Sequence, residues 1–120
     1  MKEHQLKETQ SALNVMTDAV EGAGIAYWAE AKNVRRNKNN DVTSFYVRAN
    51  DNEPLPADPK LREWHRVDAS KVVAAATAVR NGLVDIRRDI AAQFVPPYDY
   101  DGEGVDCLIQ VIAFGEIVFG

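Results

Sequence analysis

"IQVIAFGEIVFG", Ile109 to Gly120, carries one charged residue, Glu116, in a run that is otherwise almost wholly apolar. Chain ends are normally polar and mobile unless something ties them down. A terminal run of Ile, Val and Phe therefore has to be covered, either by the chain's own core or by another molecule. Just upstream, Val105, Leu108, Ile109 and Ile112 line one face of a 3.6-residue period, while Asp106 and Gln110 stand one turn apart on another. Read as a strand, the same run would put Asp106 and Gln110 on one side with Leu108 and Ile112, a poorer separation. The spacing predicts a helix from about Gly104 to Phe114, ended by Gly115, with too little polar surface to lie on the outside. Ile117, Val118 and Phe119 then form a short tail directed inward. The carboxyl-terminal helix becomes the central core element.

Working outward, Leu6, Leu13, Met16 and Val20 recur at helical spacing with Ala12 and Ala19 beside them, so Lys2 to about Glu21 reads as an amphipathic helix. Gly22 and Gly24 supply its stop. The period then changes. "IAYWAEAKNV" from Ile25 and "VTSFYVRA" (Val42 to Ala49) read as two strands, joined by the polar turn "RRNKNND", whose Asn residues tolerate positive φ. Pro54, Pro56 and Pro59 impose a loop over residues 50–59, too short to separate one domain from another. "EWHRV" reads as a third short strand. Asp68 or Ser70 can cap a second helix marked by Val72, Ala76, Val79 and Leu83, interrupted near Asn81-Gly82. Leu83, Ile86, Ile90 and Phe94 continue the period as a third helix or a kinked extension, which Pro96-Pro97 ends. The expected fold is one α+β domain over residues 1–120: a helix, an antiparallel hairpin that a third strand can extend, then two or three helices.

A chain of 120 residues can bury roughly two-thirds of its unfolded surface without staples. Its one cysteine, Cys107, rules out an internal disulfide and fits a reducing compartment. The first residues lack the apolar core of a signal peptide, and no window approaches the ~20 apolar residues that span a bilayer. The expectation is a cytoplasmic protein with no membrane partner. The net charge is −4, and its excess lies in residues 95–120, where Asp99, Asp101, Glu103, Asp106 and Glu116 meet no base. A bulk nucleic-acid binder would lean the other way. Carboxylates on a helix could imitate nucleic-acid phosphate, but mimics of that kind carry far more charge.

Four constellations bear on chemistry. "DYDGEG" spaces Asp99, Asp101 and Glu103 like the first ligands of an EF-hand, with Gly104 at the turn, but its twelfth position is the neutral Gln110. A solvated turn whose acids favour the next helix's positive end accounts for it better. Arg35, Arg36 and Lys38 at the hairpin tip, flanked by Trp28, Phe45 and Tyr46, could grip phosphates and stack bases. Against that stand Asp41 in the same turn and the acidic balance of the chain. Tyr27, Trp28, Trp64, His65 and Arg66 are the first candidates for the walls of a ligand pocket. Catalysis has weak support: Cys107 lies in the helix expected to be buried, two distant histidines and one cysteine make no zinc site, and no phosphate-cradling glycine loop occurs. No cofactor is expected.

Gln110 followed by "FGEIVFG" resembles the ending of small proteins encoded by bacteriophages and actinobacterial mobile elements, which close on Gln-x-x-x-Phe-Gly-Glu-Ile/Val-Val-Phe/Tyr-Gly. The similarity extends more faintly through "YWAE" (Tyr27 to Glu30) and "WHRVDASKV" (Trp64 to Val72) and covers about a third of the chain. It brings no catalytic residues. It implies a phage-type accessory protein that binds a host or phage protein, whether as inhibitor or counter-defence factor. Nucleic-acid binding through the hairpin tip, and a small-molecule or nucleotide-binding protein or small enzyme, are the alternatives. A homodimer is expected if the apolar tail cannot be covered within one chain.

Overall fold

The computed structural model describes residues 3–22, 24–50, 58–95 and 98–119, and the side chains of residues 3–6, including His4 and Leu6, lie outside that set. The first helix, α1, spans Glu3–Glu21. Its buried face is Ala12, Val15, Met16 and Ala19, with Leu13 and Val20 only partly covered. That stripe is rotated from the one the largest apolar residues suggested. The small alanines allow the sheet and neighbouring helices to approach closely.

The sheet holds three antiparallel strands in sequence order: β1 (Ala29–Arg36), β2 (Val42–Ala49) and β3 (His65–Asp68). The first strand begins later than "IAYW" suggested. Ile25 to Trp28 instead form a turn, in which the carbonyl of Ile25 accepts from the amides of Trp28 (3.0 Å) and Ala29 (2.8 Å). The hairpin turn is organised by Asn37, whose carbonyl accepts from Asn40 (2.9 Å) and whose side-chain oxygen accepts from the amides of Asn39 (2.9 Å) and Asp41 (3.1 Å). Asn40 takes the positive φ of 67° that the turn requires. Asn33, at φ 54°, marks the register shift in β1 between Lys32 and Arg35.

The loop expected over residues 50–59 falls mostly outside the described residues, as do Pro96 and Pro97. Asp58 caps a 3-10 turn, Pro59–Arg62, which leads to β3. Helix α2 (Ala69–Arg80) buries Val72, Ala75, Ala76 and Val79. It ends at Arg80, so Leu83 is not on its face but 76% exposed. Residues 83–87 are irregular, and the expected third helix shrinks to one turn, α3 (Arg88–Ala91), followed by the 3-10 turn Ala92–Phe94. Ile90 and Phe94 are nonetheless buried. The last helix, α4, spans Gly102–Phe114 and packs on α1, α2, α3 and β3. Gly115 closes it at φ 77°, donating its amide to Val111 O at 2.9 Å. The fold is α+β, and among the described residues no helix is long and apolar enough to cross a membrane.

Asp68 is the cap of α2. Its Oδ1 accepts from the Lys71 amide at 3.0 Å and the Ser70 hydroxyl at 2.7 Å, while Oδ2 pairs with Arg66. The Ser70 hydrogen bond chiefly, then the Lys71 amide and the Arg66 charge, holds its carboxyl below the ordinary range against an opposing effect of burial. A folded pKa below the unfolded value of about 3.9 stabilises the fold above that pH, and the contribution is lost as pH falls through the folded value. Asp68→Ala should therefore cost about 1 kcal/mol at neutral pH. Urea unfolding of both proteins should show that deficit shrinking as pH is lowered below the carboxylate range.

Candidate functional site

Helix α4 is positioned at both ends by its own sequence. Asp101 Oδ1 accepts from the Gly104 amide at 2.9 Å, and the absence of a Cβ at Gly104 leaves room for Gln93 Oε1. That oxygen accepts from the Asp101 amide at 3.0 Å. Between the caps, the residues expected to form the helix's polar face are turned inward: Asp106 is 9% exposed and Gln110 fully buried.

Asp106 accepts from three neutral donors. Trp28 Nε1 lies 2.6 Å from Oδ1, the Tyr27 hydroxyl 2.8 Å from Oδ2, and Gln110 Nε2 3.0 Å from Oδ1. Such donors stabilise a buried carboxylate without an ion pair. Gln110 then reaches the tail. Its Oε1 accepts from the amides of Val118 and Phe119, both at 2.8 Å, and its Nε2 donates to Phe119 O at 3.0 Å. Only this orientation of the carboxamide satisfies all three backbone groups. One glutamine thus supplies what a neighbouring strand would supply. The Phe119 ring lies nearly parallel to Trp28, centroids 5.4 Å apart, and Phe114 packs tilted on the same indole at 5.5 Å. No buried side-chain nitrogen or oxygen among the described residues lacks a partner.

The lashed tail forms one wall of an open groove of about 810 Å³. Ile86, Ile90, Ile117, Val118 and Phe119 make it mainly apolar. Tyr27, Asp106 and Cys107 are its inner polar groups, and Asp85, Arg87 and Glu103 supply outer charges. Arg87 is shared between Asp89 and Glu103, each at 2.9 Å. Burial, reinforced by the Asp106 hydrogen bond, raises the Tyr27 hydroxyl well above its ordinary pKa. Burial first, then the charges of Asp106 and Glu103, pushes the Cys107 thiol up to about 11. A thiol protonated at neutral pH is a poor nucleophile.

The sheet presents a second surface. Paired residues of antiparallel strands share a face, so the register puts Glu30 with Arg48, Lys32 with Tyr46 and Arg66, and Arg35 with Ser44 and Asp68 on one side. Trp64 joins them: the Lys32 ammonium lies 4.2 Å and the Arg48 guanidinium 4.4 Å from its ring centroid. The opposite side carries Phe45, Val47 and Val67 into the core.

The five pocket candidates are thus divided among three environments. Tyr27 lines the groove, and Trp28 is buried behind it. Trp64 and Arg66 lie on the outer sheet face. His65 points to the core side, with Nε2 2.7 Å from Lys60 O and its ring edge-on to Phe114 at 5.6 Å. The basic tip residues diverge as well. Arg36 is drawn back to Glu21 (2.8 Å) and Asn40 O (3.0 Å), Arg35 joins the outer face, and Lys38 stays exposed in the turn. Of the acidic trio, Asp101 is the helix cap, Glu103 pairs with Arg87, and Asp99 is exposed. Among the described residues no group of three His, Cys, Asp or Glu could hold a metal ion. Tyr46, expected beside the basic tip, does lie on the outer face, whereas Phe45 is buried in the core; sequence reasoning missed Lys32 and Arg48, although the alternation of polar and apolar residues along "VTSFYVRA" signals Arg48. It also missed the inward roles of Asp106 and Gln110. No protein-family model, curated protein or solved structure matches the chain.

Proposed function

We propose that the chain works by binding, as a small phage-type accessory protein whose groove takes a basic-flanked apolar segment of a host protein. The observation that carries this reading is the groove itself: apolar walls, an excess of carboxylates over the one arginine beside it, and an open shape. Its volume is within the range of sites that take one small ligand or several side chains. Openness favours the side chains of a partner over an enclosed small molecule. The acidic last quarter of the chain complements a basic segment and would speed its approach. A raised thiol pKa and a histidine occupied by a backbone carbonyl support binding over nucleophilic catalysis. Tyr27 and Arg87 are residue types that anchor interfaces.

The test uses immobilised wild-type chain and Ile86→Asp, matched for fold by circular dichroism. A protein captured from an actinobacterial lysate, identified and then purified, should bind wild type about tenfold or more tightly than the variant, the effect of losing one apolar anchor. Equal binding by the two would contradict the groove. A two-chain mass by light scattering that Ile86→Asp reduces to one chain would assign the groove to self-pairing instead.

A further inference from the structure

We infer that the outer face of the sheet is a binding surface for single-stranded nucleic acid, separate from the groove. Four cations, Lys32, Arg35, Arg48 and Arg66, stand on this face against two carboxylates, Glu30 and Asp68. The chain as a whole is acidic at −4, so the face is a local reversal of sign. The face holds a mainly polar cleft of about 680 Å³ that includes Arg35, Ser44, Tyr46 and Arg66. Arg48 and Arg66 are already paired, with Glu30 and Asp68. Arg35 is exposed and, among the described residues, its guanidinium has no hydrogen bond or ion pair. An exposed guanidinium lining the same cleft as a second one offers donors for phosphate oxygens.

The aromatic residues decide the class of polyanion. Tyr46 lies between Lys32 and Arg66 in the register, and Trp64 lies under Lys32 and Arg48. The Trp64 ring is thus occupied by its own cations, and Tyr46 is the ring left to a base that can be splayed out and stacked while its phosphates are neutralised. A duplex hides its base faces from such a ring. An acidic peptide would use the cations but leave the Tyr46 ring idle. The contact lies on the sheet and not at the hairpin tip, because Arg36 is committed to Glu21.

Fluorescence anisotropy with a labelled single-stranded oligonucleotide of about twelve nucleotides tests this, that length falling within known site sizes. Wild type should bind, with affinity falling steeply as salt is raised. Arg35→Ala, at an exposed edge position, should weaken binding about fivefold or more, and Tyr46→Ala by a similar factor, whereas Tyr46→Phe should retain it because the ring stacks. Lys38→Ala and the groove variant Ile86→Asp should bind as wild type does, so this inference and the groove reading fail separately. Absence of binding by folded wild type would overturn it. So would indifference to Arg35→Ala, loss on Lys38→Ala alone, or equal competition by a matched duplex or by polyglutamate.

Discussion

Gln110→Leu should destabilise the fold by about 3 kcal/mol, although it replaces a helical residue with an apolar one of similar size. Leucine can occupy the volume and keep α4 helical, so a cavity is not the issue. The loss is in partners. Without the carboxamide, the amides of Val118 and Phe119 and the carbonyl of Phe119 have nothing to bond inside the protein, and Asp106 loses one of its three donors. Each buried polar group left unpaired costs about 1–3 kcal/mol. The tail has an escape that limits the total: it can swing out and find water, forfeiting burial of the Phe119 ring for about 2 kcal/mol. Urea unfolding should report the loss, and the Trp28 environment should change with it, since Phe119 stacks on that indole.

Trp28→Ala should cost about 3–5 kcal/mol, the range for removing a large buried aromatic side chain. Trp28 is 2% exposed, contacts both Phe114 and Phe119, and gives Asp106 its shortest hydrogen bond. Trp28→Phe separates the two contributions. It keeps most of the ring contact but removes Nε1, so its deficit should be about 1–3 kcal/mol, the cost of leaving a buried acceptor short of a donor. A Phe variant as unstable as the Ala variant would mean that the hydrogen bond to Asp106 dominates over packing. Differential scanning calorimetry on the three proteins distinguishes these outcomes.

How far such features can be read from sequence depends on where their partners lie. The bounds of β2 and the end of α4 at Gly115 were legible because each is local: alternation of side chains in one case, a left-handed cap in the other. So was the inward direction of Phe119, which is buried against Trp28, whereas Ile117 and Val118, expected to turn inward with it, are only partly buried and wall the groove. The turn at Ile25 to Trp28 was not legible, because its aromatic residues have strand propensity and only the site on α4 draws Trp28 inward. The burial of Asp106 and Gln110 was hidden for the same reason. Periodicity assigns polar residues to solvent, whereas here their partners are an indole 78 residues away and the backbone of the tail. Leu83 misled in the opposite sense, continuing a helical period past Asn81 and Gly82, where α2 has already stopped. The outer sheet face was partly legible as an alternation, but its register, and hence the grouping of Arg35 with Arg66, required the bulge at Asn33.

The central claim is that a buried glutamine holds the carboxyl-terminal tail in place and so builds the groove. Site-resolved amide hydrogen exchange on Val118 and Phe119 tests it most directly. The geometry predicts that both amides are protected in the wild-type chain to an extent comparable with the middle of α4, and that Gln110→Leu brings them to nearly unprotected rates while Leu108 and Ile109 remain slow. Val118 and Phe119 amides exchanging freely in the wild type, beneath an intact and protected α4, would contradict it.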